Sequence, residues 1–135
     1  MLSIKKMLTK ILQELAALQT SSTTTYASGT VGSDSVMQNA NLKNCKLVKT
    51  GKNVRCYVGI GYANGTTAIP KQTTMFTIPA GYRPPSRKMF PAVGFRSGSK
   101  AVIGLQLEFN ADGTITHNSG DDITILYGSA EWETN

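Results

Sequence analysis

The 135-residue sequence predicts a mainly β protein: an N-terminal α-helix forming a trimeric coiled coil or bundle, followed by an antiparallel β-sandwich or jelly-roll-like head. Two observations carry this. Apolar residues step by three and four through the first twenty positions and by two beyond residue 40. Glycine, asparagine and proline punctuate the second part at short intervals, as between short antiparallel strands. The boundaries follow as a trimerising and anchoring helix over 1–20, a polar linker over 21–38 and a β head over 39–135.

In the helix, Ile4, Leu8, Ile11, Leu15 and Leu18 form a heptad seam with leucine at a and isoleucine at d. Leu12 at an e position widens it, and this combination favours three or four strands over two. About 18 residues make a marginal helix in isolation. The following TSSTTTYASGTVGSDS has no packing stripe to fold the helix back onto the rest, so the seam is expected to pack on copies of itself as a homotrimer. Lys10, Gln13 and Glu14 interrupt the apolar run, which argues against a secretory signal. No later segment approaches a membrane span. The chain is expected to be soluble, made in a cytoplasm and not inserted in a membrane.

In the head, AVIGLQLEF alternates, with Ala101, Ile103, Leu105, Leu107 and Phe109 on one face. Asn110, Asp112 and Gly113 supply a turn, and Thr114 to Thr116 begin the partner strand of a hairpin. NSGDD then leads into ITILYGSAEWET, where Ile123, Ile125 and Tyr127 alternate, followed by Ala130, Trp132 and Thr134. Four of the five prolines fall in TMFTIPAGYRPPSRKMFPAVGF. This reads as a strand over Met75 to Ile78, a proline-stiffened turn, and a strand over Met89 to Phe95 in which Pro91 is tolerated only at an edge or bulge. Prolines so placed also guard a sheet edge against pairing.

Cys45 and Cys56 flank a hairpin turning near Thr50 to Asn53, and alternation points both inward, as a core pair of thiols with a cross-strand disulfide as the alternative. Charge divides unevenly. Residues 1–107 hold fourteen bases against two acids, and 108–135 hold six acids and no base. No basic run exceeds two residues and no nucleic-acid motif is present, so basic strands are expected beside acidic ones rather than against nucleic acid.

The run FTIPAGYRPPS, then FPAVGF, a hairpin turning at DGT and a closing strand with Trp132 together resemble the head domain of tailed-bacteriophage tail-fibre and baseplate receptor-binding proteins. A helical N-terminal bundle leading to a compact β head is similar to the short receptor-binding proteins of lactococcal siphophages. The resemblance spans about residues 40 to 134. It implies a virion homotrimer that attaches to another virion protein through its N-terminal helix, and whose head binds a host-surface saccharide or protein. The chain departs from that pattern in lacking a long interlaced neck and a separate adapter domain, so a capsid head fibre or decoration protein shares its design.

A glycan-processing enzyme is the remote alternative. HNSGDD gathers His117, Asp121 and Asp122 on a turn, which alone makes no convergent acid and base. NADG lacks the ligand succession of a calcium loop, and two cysteines with one distant histidine make no zinc site. No enzyme activity, cofactor or metal is expected. Loops concentrate recognition residues, which makes His117, Asn118, Asp121 and Asp122 the receptor-binding candidates. Trp132 joins them as an aromatic plate, although a core position competes. Tyr82 and Arg83 are read as packing around their turn.

Overall fold

The computed structural model describes residues 3–21 and 23–134, with side chains described for all of these except 17–21. Helix α1 (Ile4–Ser21) begins at Ser3, whose hydroxyl accepts the Lys6 amide and whose carbonyl accepts that of Met7. Ile4, Leu8, Ile11 and Leu15 are each at least half exposed, and none of the described α1 side chains joins the core. Leu18 lies outside the residues whose side chains are described. Among the described residues, no helix is long and apolar enough to cross a membrane.

The stretch read as a polar linker is part of the head. It supplies β1 (Thr24–Ser28), β2 (Thr30–Val31) and the short helix α2 (Ser35–Gln38). Asp34 caps α2 by accepting the Val36 amide at 2.8 Å, and Met37 is fully buried. Its serines and threonines concealed strands whose sheet pairs supply what their side chains do not. The remaining strands are β3 (Leu42–Thr50), β4 (Asn53–Gly61), β5 (Phe76–Thr77), β6 (Lys88–Arg96), β7 (Val102–Phe109), β8 (Thr114–His117) and β9 (Ile123–Glu133).

All of these strands join one antiparallel sheet in the order β1-β3-β4-β9-β6-β7-β8-β5-β2. Only Gly29 separates β1 from β2, yet they stand at opposite ends of that order. One stretch of chain therefore pairs first with β3 and then with β5, leaving the sheet nearly closed. The Gly29 amide donates to the Cys45 carbonyl at 2.9 Å and that of Gly32 to Met75 at 2.9 Å. A Cβ on Gly29 would stand 2.5 Å from Cys45 Sγ, so the crossing needs glycine.

Inside lie Leu47, Val54, Ile60, Phe76, Ile78, Leu107, Ile115 and Leu126, with Phe109 between Phe90 (ring centroids 5.8 Å) and Trp132 (5.3 Å). Cys45 and Cys56 are buried free thiols with their sulfurs 3.9 Å apart. Their hydrogen bond and burial push the Cys56 thiol far up, while accepting that bond draws Cys45 down. The hairpins turn at 50–53 and 110–113 as expected. Ala130, Trp132 and, just past β9, Thr134 point inward in the expected phase, but earlier in the strand Leu126 takes the inward place and Tyr127 faces out. The alternation breaks at Ile123 and Thr124, both buried, beside a register shift between Phe95 and Arg96.

Each ion pair found among the described residues joins a base from the first part of the chain to an acid from the second. These are Arg55–Glu131 at 3.7 Å, Arg87–Glu108 at 3.7 Å and Arg96–Asp121 at 3.1 Å. The segregation of charge in sequence thus becomes pairing between segments far apart along the chain. Glu108, expected on the outer face, is buried there beneath the 71–74 loop. Gln72 Nε2 donates to it at 3.0 Å, and Thr116 Oγ1 reaches it at 3.5 Å.

Candidate binding face

The outward residues of the sheet form rows fixed by strand register. One row runs Asn44, Gly59, Tyr127, Val93 and Gly104 across β3, β4, β9, β6 and β7. The next runs Lys46, Tyr57 and Ser129, and the next Val48, Arg55 and Glu131. Tyr57 and Tyr127 are therefore diagonal neighbours, both nearly half exposed. Gly59 makes room for one of them: its missing Cβ would lie 3.3 Å from the Tyr127 ring. Beyond Val93, Gly104 has open space in place of a side chain.

A groove opens beside these tyrosines because β6 and β9 part. Their pairing begins at Ala92 opposite Gly128, so Lys88–Pro91 has only β7 beside it and Ser129–Glu133 only β4. Pro91 sits at the break. β6 is an interior strand by sheet order, but here it is locally an edge, where a residue with no N–H to donate is tolerated. One hollow of about 510 Å³ is lined by Tyr57, Pro91, Val93, Tyr127 and Ser129 among others, and an adjoining one of about 370 Å³ by Arg55, Tyr57, Phe90 and Glu131. At the far end Glu131 accepts from Asn53 Nδ2 at 2.8 Å and pairs with Arg55.

The groove therefore combines two phenol rings and a valine with an arginine, a carboxylate, an amide and a hydroxyl at its margin. Such a surface can stack on the apolar face of a small polar molecule and hydrogen-bond its hydroxyls. The groups whose pKa is displaced, Cys45, Cys56, Tyr62, Asp112 and His117, all lie outside it. No three metal-ligating side chains cluster among the described residues.

The loop residues expected to bind receptor are separated by the structure. His117 turns inward and is buried. The Ser119 amide donates to Nδ1 at 3.2 Å, which leaves Nε2–H to donate to the Ile69 carbonyl at 2.8 Å. Burial lowers its pKa, against a smaller upward pull from the Ile69 bond and the Glu108 charge. Both ring nitrogens are occupied, so it cannot meet a ligand. Asn118, Asp121 and Asp122 are exposed on the loop joining β8 to β9, at the end of the sheet remote from the start of β1. Asn118 accepts from Gln72 at 3.3 Å, Asp121 pairs with Arg96, and the Asp122 carbonyl takes the Ser97 amide at 2.8 Å.

Trp132 is in the core, and its indole N–H donates to the Tyr82 carbonyl at 2.9 Å. Tyr82 in turn donates its hydroxyl to Thr25 at 2.8 Å, and Arg83 Nε donates to the Ile78 carbonyl at 2.7 Å. The Ile78 amide donates to the Gly113 carbonyl at 2.7 Å, so the IPAGYRPPS turn ties β1, β9 and the β7–β8 hairpin together at the end where the helix joins. Asp112 belongs to that hairpin. The Thr114 amide and hydroxyl hold its carboxyl below the usual range.

Tyr57, Tyr127 and Val93 were not among the expected site residues. For Tyr57 a signal existed: it alternates with Cys56 and Val58, which face inward, so an outward aromatic was legible. Tyr127 was hidden by the phase break in β9, and the groove by a parting of strands far apart in sequence. In comparison with known proteins, the chain matches no family model and no curated protein.

Proposed function

We propose that the chain is a non-enzymatic bacteriophage virion protein, made in the host cytoplasm and assembled as a homotrimer. Helix α1 trimerises as a coiled coil and attaches it to another virion protein, and the sandwich-like β head recognises a host-surface saccharide. The observation that carries recognition is the groove between β6 and β9, where Tyr57 and Tyr127 stand beside Arg55, Ser129 and Glu131. The exposed Ile4, Leu8, Ile11 and Leu15 seam supports assembly, because so much apolar surface on one helix calls for a partner. Three linked heads convert weak single-site binding into avidity, so a shallow groove suffices.

The test is a glycan array probed with the intact trimer and with Tyr127→Ala. Binding by the trimer and a tenfold or greater loss in the variant are expected. A blank array with intact trimer overturns saccharide recognition. Tight capture of that same trimer by purified capsid would instead assign a decorative role on the head.

A further inference from the structure

Alternation along β3 turns Lys49 to the inner face with Cys45 and Leu47, at the end of the sheet where the helix joins. There it meets the IPAGYRPPS turn and not an acid. Its Nζ donates to the Gly81 carbonyl at 2.7 Å and stands 5.8 Å from the centre of the Tyr82 ring. Arg83 is anchored on the same turn, with Nε donating to the Ile78 carbonyl at 2.7 Å. Its guanidinium lies against Gly113, where a Cβ would come within 2.9 Å of Cζ. Neither cation belongs to any ion pair found among the described residues. Asp112 feels the Arg83 charge, but its Oδ1 takes the Thr114 amide at 3.0 Å and hydroxyl at 2.7 Å, and it pairs with neither base. A carbonyl carries only a partial charge, so these anchors fix two cations in place without neutralising them.

Lys49 and Arg83 line one hollow of about 350 Å³, together with Pro84, Pro85 and Ala111 among others. Each base spends one N–H on a carbonyl, which leaves most of the ammonium and guanidinium donors for another acceptor. We infer that this hollow binds a phosphate group, as the free ion or as a monoester. A phosphate dianion balances two cations, and its tetrahedral oxygens accept from a forked guanidinium and a separate ammonium set in different directions. A carboxylate offers one charge and two oxygens in a single plane. The proline and alanine walls give apolar contact to an organic residue carried on the phosphate, and the hollow is of small-ligand size. It shares no lining residue with the groove beside Tyr57 and Tyr127, so this site does not rest on saccharide recognition.

Amide chemical shifts of the isotopically labelled full chain, titrated with sodium phosphate against sodium chloride at matched ionic strength, test this. Expected are saturable shifts confined to Gly81–Arg83, Ala111 and their neighbours. Lys49→Gln, whose amide can still donate to the Gly81 carbonyl but carries no charge, is expected to raise the phosphate dissociation constant at least fivefold. Lys49→Arg, which keeps the charge, is expected to stay within twofold of wild type, and so is Tyr127→Ala in the separate groove. Glucose 6-phosphate bound more tightly than phosphate assigns a monoester as the ligand; equal or weaker binding assigns the free ion. Shifts that never saturate, or that spread over the exposed lysines of α1, overturn the site. Lys49→Gln binding phosphate as wild type does overturns it too. A blank glycan array leaves it standing, because saccharide recognition fails separately.

Discussion

Helix α1 and the β head both carry a regular apolar face, and they dispose of it in opposite ways. In the head, alternation along each strand delivers Leu105, Leu107 and Phe109 to a core built wholly from the same chain. In the helix, steps of three and four deliver Ile4, Leu8, Ile11 and Leu15 to a face that stays at least half exposed. Periodicity thus states which face is apolar, whereas topology decides whether its partner is internal. The sheet nearly closes on itself through the crossing at Gly29, and the helix has no such return.

Two variants, one in each region, separate the two cases most sharply. Phe109→Ala removes a fully buried ring packed on Phe90 and Trp132, and it is expected to cost the head about 3–5 kcal/mol in denaturant unfolding. The Leu8→Lys/Ile11→Lys variant is expected to leave the head's unfolding at high dilution within about 0.5 kcal/mol of wild type while abolishing assembly. If the helix substitutions destabilised the isolated protomer as much as the core substitution, α1 would be a core element after all.

A second pair of substitutions asks how much of the head's stability lies in its turns. Gly113 has φ +93° in the β7–β8 hairpin, and a Cβ there would meet Arg83 Nε at 2.4 Å and the Ile78 carbonyl at 2.7 Å. Gly113→Ala is expected to lose about 1–3 kcal/mol through strain and displacement of the Arg83 anchor. Gly104→Ala, with nothing within 4 Å, is expected to stay within about 0.5 kcal/mol. Thermal melts of the two variants separate a positional demand for glycine from a general one. Equal losses would refute the account of the IPAGYRPPS turn as a clamp on that hairpin.

What could be read in the sequence was whatever depends on neighbours along the chain. Helix α1, the turns at 50–53 and 110–113, the inward thiols and the alternation of β7 all belong to this kind. What escaped depends on partners far away. β1 and β2 hid in a serine- and threonine-rich stretch because their place is set by β3 and β5, not by apolar side chains of their own. Pro91 was legible as a ladder breaker. That its break opens a groove beside Tyr127, thirty-six positions later, required the β6–β9 register. His117 looked like a loop residue because hydrogen bonding to Ile69 is invisible in a turn-rich string.

The smallest effect expected is in acid, and it tests whether His117 belongs to the packed interior or to the recognition surface. Its imidazole is buried neutral, with a pKa below the ordinary 6.5. The unfolded chain therefore binds a proton in a range where the folded head refuses it, and stability rises with pH there. This contribution is complete above about pH 6.5 and is lost as pH falls towards the lowered folded value. His117→Gln, whose amide can still donate to the Ile69 carbonyl, is expected to flatten that slope without changing saccharide binding at neutral pH. Paired denaturant titrations of wild type and variant between about pH 5 and 7.5 measure the difference. Parallel slopes would show that the imidazole titrates alike in both states, as it would if it faced solvent on the loop with Asn118 and Asp121.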